Sequence, residues 1–63
     1  MKEYKVMAYF SKVYTPRSYK RKIVNTIQEA TDLLAQAKLY YAEYPYLEKV
    51  VIESREVTEW EEM

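Results

Sequence analysis

The sequence predicts an α+β fold, ββαβ, in which a three-stranded antiparallel sheet carries one helix on one face. Three observations predict it. The stretch 25–44, NTIQEATDLLAQAKLYYAEY, repeats its apolar residues at helical spacing, with Ile27, Ala30, Leu34, Ala37, Tyr41 and Tyr44 on one side and Leu33 and Tyr40 at its margin. The segments on either side are rich in valine and tyrosine with interleaved charges, the composition of half-buried strands. The chain's two prolines, Pro16 and Pro45, fall between these segments and mark turns.

The first strand is expected over 3–14, EYKVMAYFSKVY. Thr15-Pro16-Arg17-Ser18 follows; proline presets the second position of a type I turn, and Thr and Ser suit its flanks. With no glycine in the chain, a two-residue hairpin turn that needs positive φ is disfavoured. A four-residue connection sets Tyr14 opposite Tyr19 and returns residues 19–24 as the second strand. That register pairs Lys12 with Arg21 and Phe10 with Ile23 on one face, and Val13 with Lys20 and Tyr9 with Val24 on the other. A slip of one residue exchanges the faces.

The helix is expected over 26–43. Thr26 with Glu29 has capping-box spacing, and Asn25 with Gln28 offers a competing cap. Alanines at 30, 35, 37 and 42 favour helix and permit close approach to a sheet. Pro45 disfavours helical geometry at Tyr44 and sets the end. The third strand is expected over 47–57, with Val50, Val51 and Ile52 flanked by Glu48, Lys49 and Glu53 as gatekeepers against aggregation. It either runs on through Val57 to Trp60 or is divided by a kink near Ser54. A right-handed crossover by the helix places it beside the first strand, giving the order 2-1-3.

This arrangement turns Tyr4, Val6, Ala8, Phe10, Ile23, Val50 and Ile52 toward the helix. The reverse face holds Met7, Tyr9, Val13, Val24, Val51 and Val57 between charged residues. That set is too apolar for a sheet face left in water, so it is a candidate protein or homodimer interface. The alternative is that lysine and arginine stems shield it in a monomer.

Residues 1–63 are expected to form a single small domain, which buries only about 60% of its unfolded surface. There is no cysteine and no histidine, so disulfides and the usual zinc sites are excluded, and no metal or cofactor is expected. Reinforcement falls to local structure or oligomerisation. Charges interrupt the N-terminal apolar run, and nothing approaches the roughly 18 apolar residues of a membrane span. The expectation is a cytoplasmic protein without a membrane partner.

Net charge is zero but unevenly spread. Residues 1–25 carry seven cations against Glu3, and residues 26–63 carry nine acids against Lys38, Lys49 and Arg55. Catalysis finds no usual general base or thiol nucleophile, no serine with an evident activating partner, and no glycine-rich phosphate loop, so no enzyme is expected and no catalytic residue is assigned. Tyr14, Arg17, Tyr19, Lys20, Arg21 and Lys22 gather around one hairpin and form a candidate nucleic-acid or anion contact. Against it stand an isoelectric point of 6.2 and the acidic second half. Tyr40, Tyr41, Tyr44 and Tyr46 cluster where the helix ends, a residue type enriched at protein interfaces. A protein partner therefore ranks ahead of nucleic acid.

A short ββαβ chain with a strand–turn–strand start, a helix closed by Tyr44-Pro45 and a strand ending in Val57-Thr58-Glu59-Trp60 resembles the small proteins encoded by phages and mobile elements of Gram-positive bacteria. The resemblance spans the whole chain. It implies stoichiometric binding of a host protein, as an inhibitor or accessory factor, in the host cytoplasm. No site residue carries over from it.

Overall fold

Valine, tyrosine and phenylalanine at alternating positions make β1 (Glu3–Phe10) a half-buried strand: Val6, Ala8 and Phe10 are buried, while Lys5, Met7 and Tyr9 between them are half-exposed. The computed structural model describes residues 2–11, 14–56 and 60–62. Over these the order is β1, β2 (Arg17–Ser18), a short turn at Tyr19–Arg21, α1 (Ile27–Tyr41), β3 (Leu47–Arg55) and β4 (Glu61–Glu62). The expected α+β class holds, with one helix and an antiparallel sheet. The sheet has four strands in the order β2-β1-β3-β4, because the chain bends at Glu56 and Glu61–Glu62 returns along β3 as an outer strand.

The first hairpin differs from the expected one. β1 ends at Phe10, not at 14: the Ser11 N–H donates to the Tyr46 carbonyl, and the Tyr14 N–H donates back to the Ser11 carbonyl. The return strand meets β1 further along, with Met7 opposite Ser18 and Ala8 opposite Arg17. A second contact joins Tyr4 and Val24 through a reciprocal pair of backbone hydrogen bonds of 2.8 and 2.9 Å. Between these contacts Tyr19–Ile23 runs opposite only Lys5 and Val6, and the surplus is taken up by a left-handed turn at Lys20 and Arg21, with φ of 54° and 50°. The expected strand at 19–24 is therefore interrupted.

The turn also resets the faces. Val24 is buried in the core and Ile23 is exposed, the reverse of the expected assignment, because pairing with Tyr4 puts Val24 on the helix side. The pairings of Phe10 with Ile23 and of Tyr9 with Val24 do not form. Lys12, Val13 and Val57 lie outside the described residues.

Helix α1 starts at the Thr26 cap, whose hydroxyl oxygen accepts from the Glu29 N–H at 3.2 Å and donates to the Glu29 carboxylate at 2.9 Å. The helix stops two residues short of the expected 43, and the Tyr44 N–H closes a tighter turn onto the Tyr41 carbonyl at 3.0 Å. Its buried stripe is Ala30, Leu33, Ala37 and Tyr41; Leu33 belongs to the core, not the margin, and Ile27 is largely exposed. Ala30 and Ala37 are fully buried, as are Val6 and Ala8 on β1. Small residues on both layers let helix and sheet approach closely at the centre, which leaves the large rings to collect at the C-terminal end of α1.

Candidate functional site

Two surfaces were expected to matter: the sheet's reverse face and the segment 14–22. On the reverse face the register sets Lys5 opposite Glu53, Met7 opposite Val51 and Tyr9 opposite Lys49. Met7, Tyr9 and Val51 share this face as expected and are only half-exposed. Their neighbours on this face are tied to one another. The Tyr9 hydroxyl donates to the buried Glu53 carboxylate, and Lys5 lies 4.0 Å from it. Trp60 is flanked by Lys5 at 4.4 Å and Arg55 at 4.5 Å from its ring centre. Lys49 pairs with Glu62 at 2.6 Å, and Arg55 donates to Glu3 at 2.8 Å. The cross-strand juxtaposition of Glu53 and Glu62, like charges directly opposite, is relieved because each has its own cation. Charged stems thus lie over part of the reverse face, Lys49 against the Tyr9 ring at 5.1 Å and Lys5 and Arg55 against Trp60.

The other end of the molecule is different. Tyr41 sits at its centre, with ring centroids 5.9 Å from Phe10, 6.1 Å from Tyr19 and 4.9 Å from both Tyr40 and Tyr44, nearly all in edge-to-face geometry. Tyr14 packs on Phe10 at 6.0 Å and on Tyr46 at 5.6 Å, extending the cluster to seven rings. Tyr14, Tyr40 and Tyr46 remain 43%, 57% and 58% exposed. Tyr46 reaches this position through a left-handed backbone, φ 66°, in the turn after Pro45.

Beside the rings lies a concavity of about 720 Å³ lined by Thr15, Pro16, Arg17, Ser18, Lys20, Arg21 and Tyr41. A smaller niche of about 180 Å³ is lined by Phe10, Tyr14, Arg17, Tyr44 and Pro45. Arg17 borders both. Of the six residues expected to make an anion contact, Arg17, Lys20 and Arg21 meet at the concavity and Tyr14 at the niche. Tyr19 is buried beneath Tyr40, so it is not open for stacking, and Lys22 lines neither hollow. Thr15, Ser18 and Tyr41 were not foreseen at this site, since the expected register separated the turn from the helix end.

Electrostatics follow the geometry. Burial pushes the Tyr41 phenol above its ordinary 10.0; Tyr40 and Tyr19 add to this and Arg17 opposes it. The Tyr44 phenol is also raised, chiefly by its 3.2 Å hydrogen bond to the Tyr40 hydroxyl. Both phenols are therefore neutral donors at ordinary pH. Holding Lys20 and Arg21 left-handed without glycine costs about 1 kcal/mol or more each. Strain of this kind is characteristic of ligand-contacting segments.

Among the described residues no cluster of acidic side chains is arranged to hold a metal, and no helix is long and apolar enough to cross a membrane. Comparison with protein-family models, with curated proteins and with solved structures finds no match.

Proposed function

We propose that this chain is a non-enzymatic protein-binding module, of the accessory or inhibitor kind that phages and mobile elements encode, which acts by stoichiometric contact through its aromatic end. The observation that carries the reading is the seven-ring cluster at the end of α1, three of whose tyrosines stand about half-exposed, with Arg17 beside Tyr14 and Tyr44 at the niche. Tyrosine and arginine are the residues that dominate binding energy at protein interfaces, where rigid aromatic bodies bury area at small entropic cost. The chain has neither histidine nor cysteine, and among the described residues no carboxylate lines the concavity, so these residues supply cations and hydroxyls without a general base.

The convergence of Arg17, Lys20 and Arg21 favours a second reading, a nucleic-acid-associated protein using residues 14–22. Its weakness is that the rings pack on one another, and Tyr19 is buried. Salt separates the two, since a nucleic-acid complex weakens steeply between low and moderate salt.

The test is capture of a host protein on the immobilised chain, compared with the double variant Tyr40→Ala/Tyr46→Ala. Both side chains are mostly exposed, so the variant keeps its fold, checked by circular dichroism. Loss of a stoichiometric partner on that substitution is expected. Retention of the partner by the double variant, or its loss on Val51→Glu at the reverse face instead, overturns the reading.

A further inference from the structure

We propose that the basic concavity and the apolar niche form one composite site for an acidic peptide segment, with carboxylates entering the concavity and a neighbouring apolar side chain filling the niche. This rests on the protein-binding reading and names the partner's chemistry. Lys5, Lys49 and Arg55 each have a carboxylate partner, at Glu53, Glu62 and Glu3. Arg17, Lys20 and Arg21 form no ion pair among the described residues. The cations of β1 and β3 are thus neutralised, and those at the concavity are left unanswered.

The turn explains how two of those cations meet. In an extended strand adjacent side chains point to opposite faces, so Lys20 and Arg21 would diverge. Their consecutive left-handed conformations bring both to the same hollow, joined by Arg17 from β2. Thr15, Ser18 and Tyr41 add hydroxyls, the neutral donors that complete a carboxylate's hydrogen bonds. At about 720 Å³ the concavity takes more than one acidic side chain, and the niche of about 180 Å³ suits a leucine or a single phenyl ring. Arg17 borders both hollows and fixes the spacing between anion and apolar group. Single-stranded nucleic acid asks instead for free ring faces along a basic track, whereas Tyr14 is packed against both Phe10 and Tyr46.

The experiment titrates the ¹⁵N-labelled chain with the capped peptide Glu-Glu-Leu-Glu-Glu, with versions carrying Gln for every Glu or Ala for Leu, and with a ten-nucleotide oligothymidylate. Saturable amide shifts at Arg17, Ser18, Lys20, Arg21 and Tyr44 are expected. Each control peptide should bind at least about fivefold more weakly, and Arg17→Gln should cost about tenfold at an unchanged unfolding midpoint, while Lys38→Gln changes nothing. Equal binding of the Gln peptide, tighter binding of oligothymidylate, shifts confined to Met7 and Val51, or no saturation at millimolar peptide each overturns the proposal. If a captured partner needs Tyr40 and Tyr46 yet ignores Arg17→Gln and is not displaced by the acidic peptide, this inference falls and the protein-binding reading stands. If capture also survives Tyr40→Ala/Tyr46→Ala, both fall.

Discussion

The Tyr9 hydroxyl donates a hydrogen bond to the carboxylate of Glu53, four residues further along β3 than Lys49, the residue paired with Tyr9. To reach it, the tyrosine side chain must lie along the sheet, over the Met7–Val51 pair that separates them. A polar anchor thereby lays an aromatic body across the apolar centre of the reverse face. Glu53 is 8% exposed, so the bond matters. Tyr9→Phe leaves a buried carboxylate served by Lys5 alone, and should lower stability by about 1–3 kcal/mol in urea unfolding. A loss within experimental error would mean that Lys5 and water satisfy Glu53 without the phenol.

Trp60 sits on the same face between Lys5 and Arg55. Two cation–π contacts at a partly exposed site are worth about 1–2 kcal/mol together. With Tyr9 laid across the reverse face and Trp60 beside it, the wild-type chain should sediment as a 7.7 kDa monomer at micromolar concentration. Trp60→Ala should lower stability by about that amount and make sedimentation concentration-dependent, because the reverse face loses the ring that Lys5 and Arg55 hold against it. A concentration-dependent wild type would restore the homodimer that the sequence pattern suggests.

How much of this was legible in the sequence divides along local and non-local lines. The helix and the placement of Val6, Ala8, Phe10, Met7, Tyr9 and Val51 on their faces follow from period and spacing, which are local properties, whereas the choice of Thr26 over Asn25 as the cap does not. The hairpin departs from its expected register because that register depends on where β1 stops, and that is set by the Ser11–Tyr46 backbone bond to a turn 35 residues away. Nor do consecutive left-handed lysine and arginine residues carry a sequence signal, since glycine or asparagine is the usual mark. That one turn accounts for the exchange of Ile23 and Val24 and for the meeting of Lys20 with Arg21. The tyrosine cluster was visible as composition, whereas the part of Arg17 between the two hollows required coordinates.

The raised phenols give a pH dependence with a definite sign. Tyr41 and Tyr44 hold their protons more tightly folded than at the ordinary value of 10.0 that they regain on unfolding. Their contribution is therefore complete below about pH 10 and is lost as pH rises through the folded-state values. Unfolding midpoints should fall on that alkaline limb, and tyrosinate absorbance should show phenols titrating late. Tyr41→Phe should flatten the limb and remove one late phenol. A limb unchanged by that substitution would place the alkaline sensitivity elsewhere.

The left-handed turn lends itself to a test that separates stability from recognition. Lys20 and Arg21 sit at φ of 54° and 50°, where a side chain with a Cβ is strained and glycine is not. Lys20→Gly should relieve about 1 kcal/mol, offset in part by the greater freedom of glycine in the unfolded chain, for a net gain of a few tenths and a rise of a degree or more in the thermal midpoint. Lys22→Gly is the internal control: Lys22 is extended, φ −100° and ψ 137°, so glycine brings only entropy and should destabilise. Lys20→Gly should at the same time weaken acidic-peptide binding severalfold, since one of three cations is gone. A turn kept for its own stability would respond the other way, losing midpoint at Lys20→Gly, and calorimetry on the three chains decides between them.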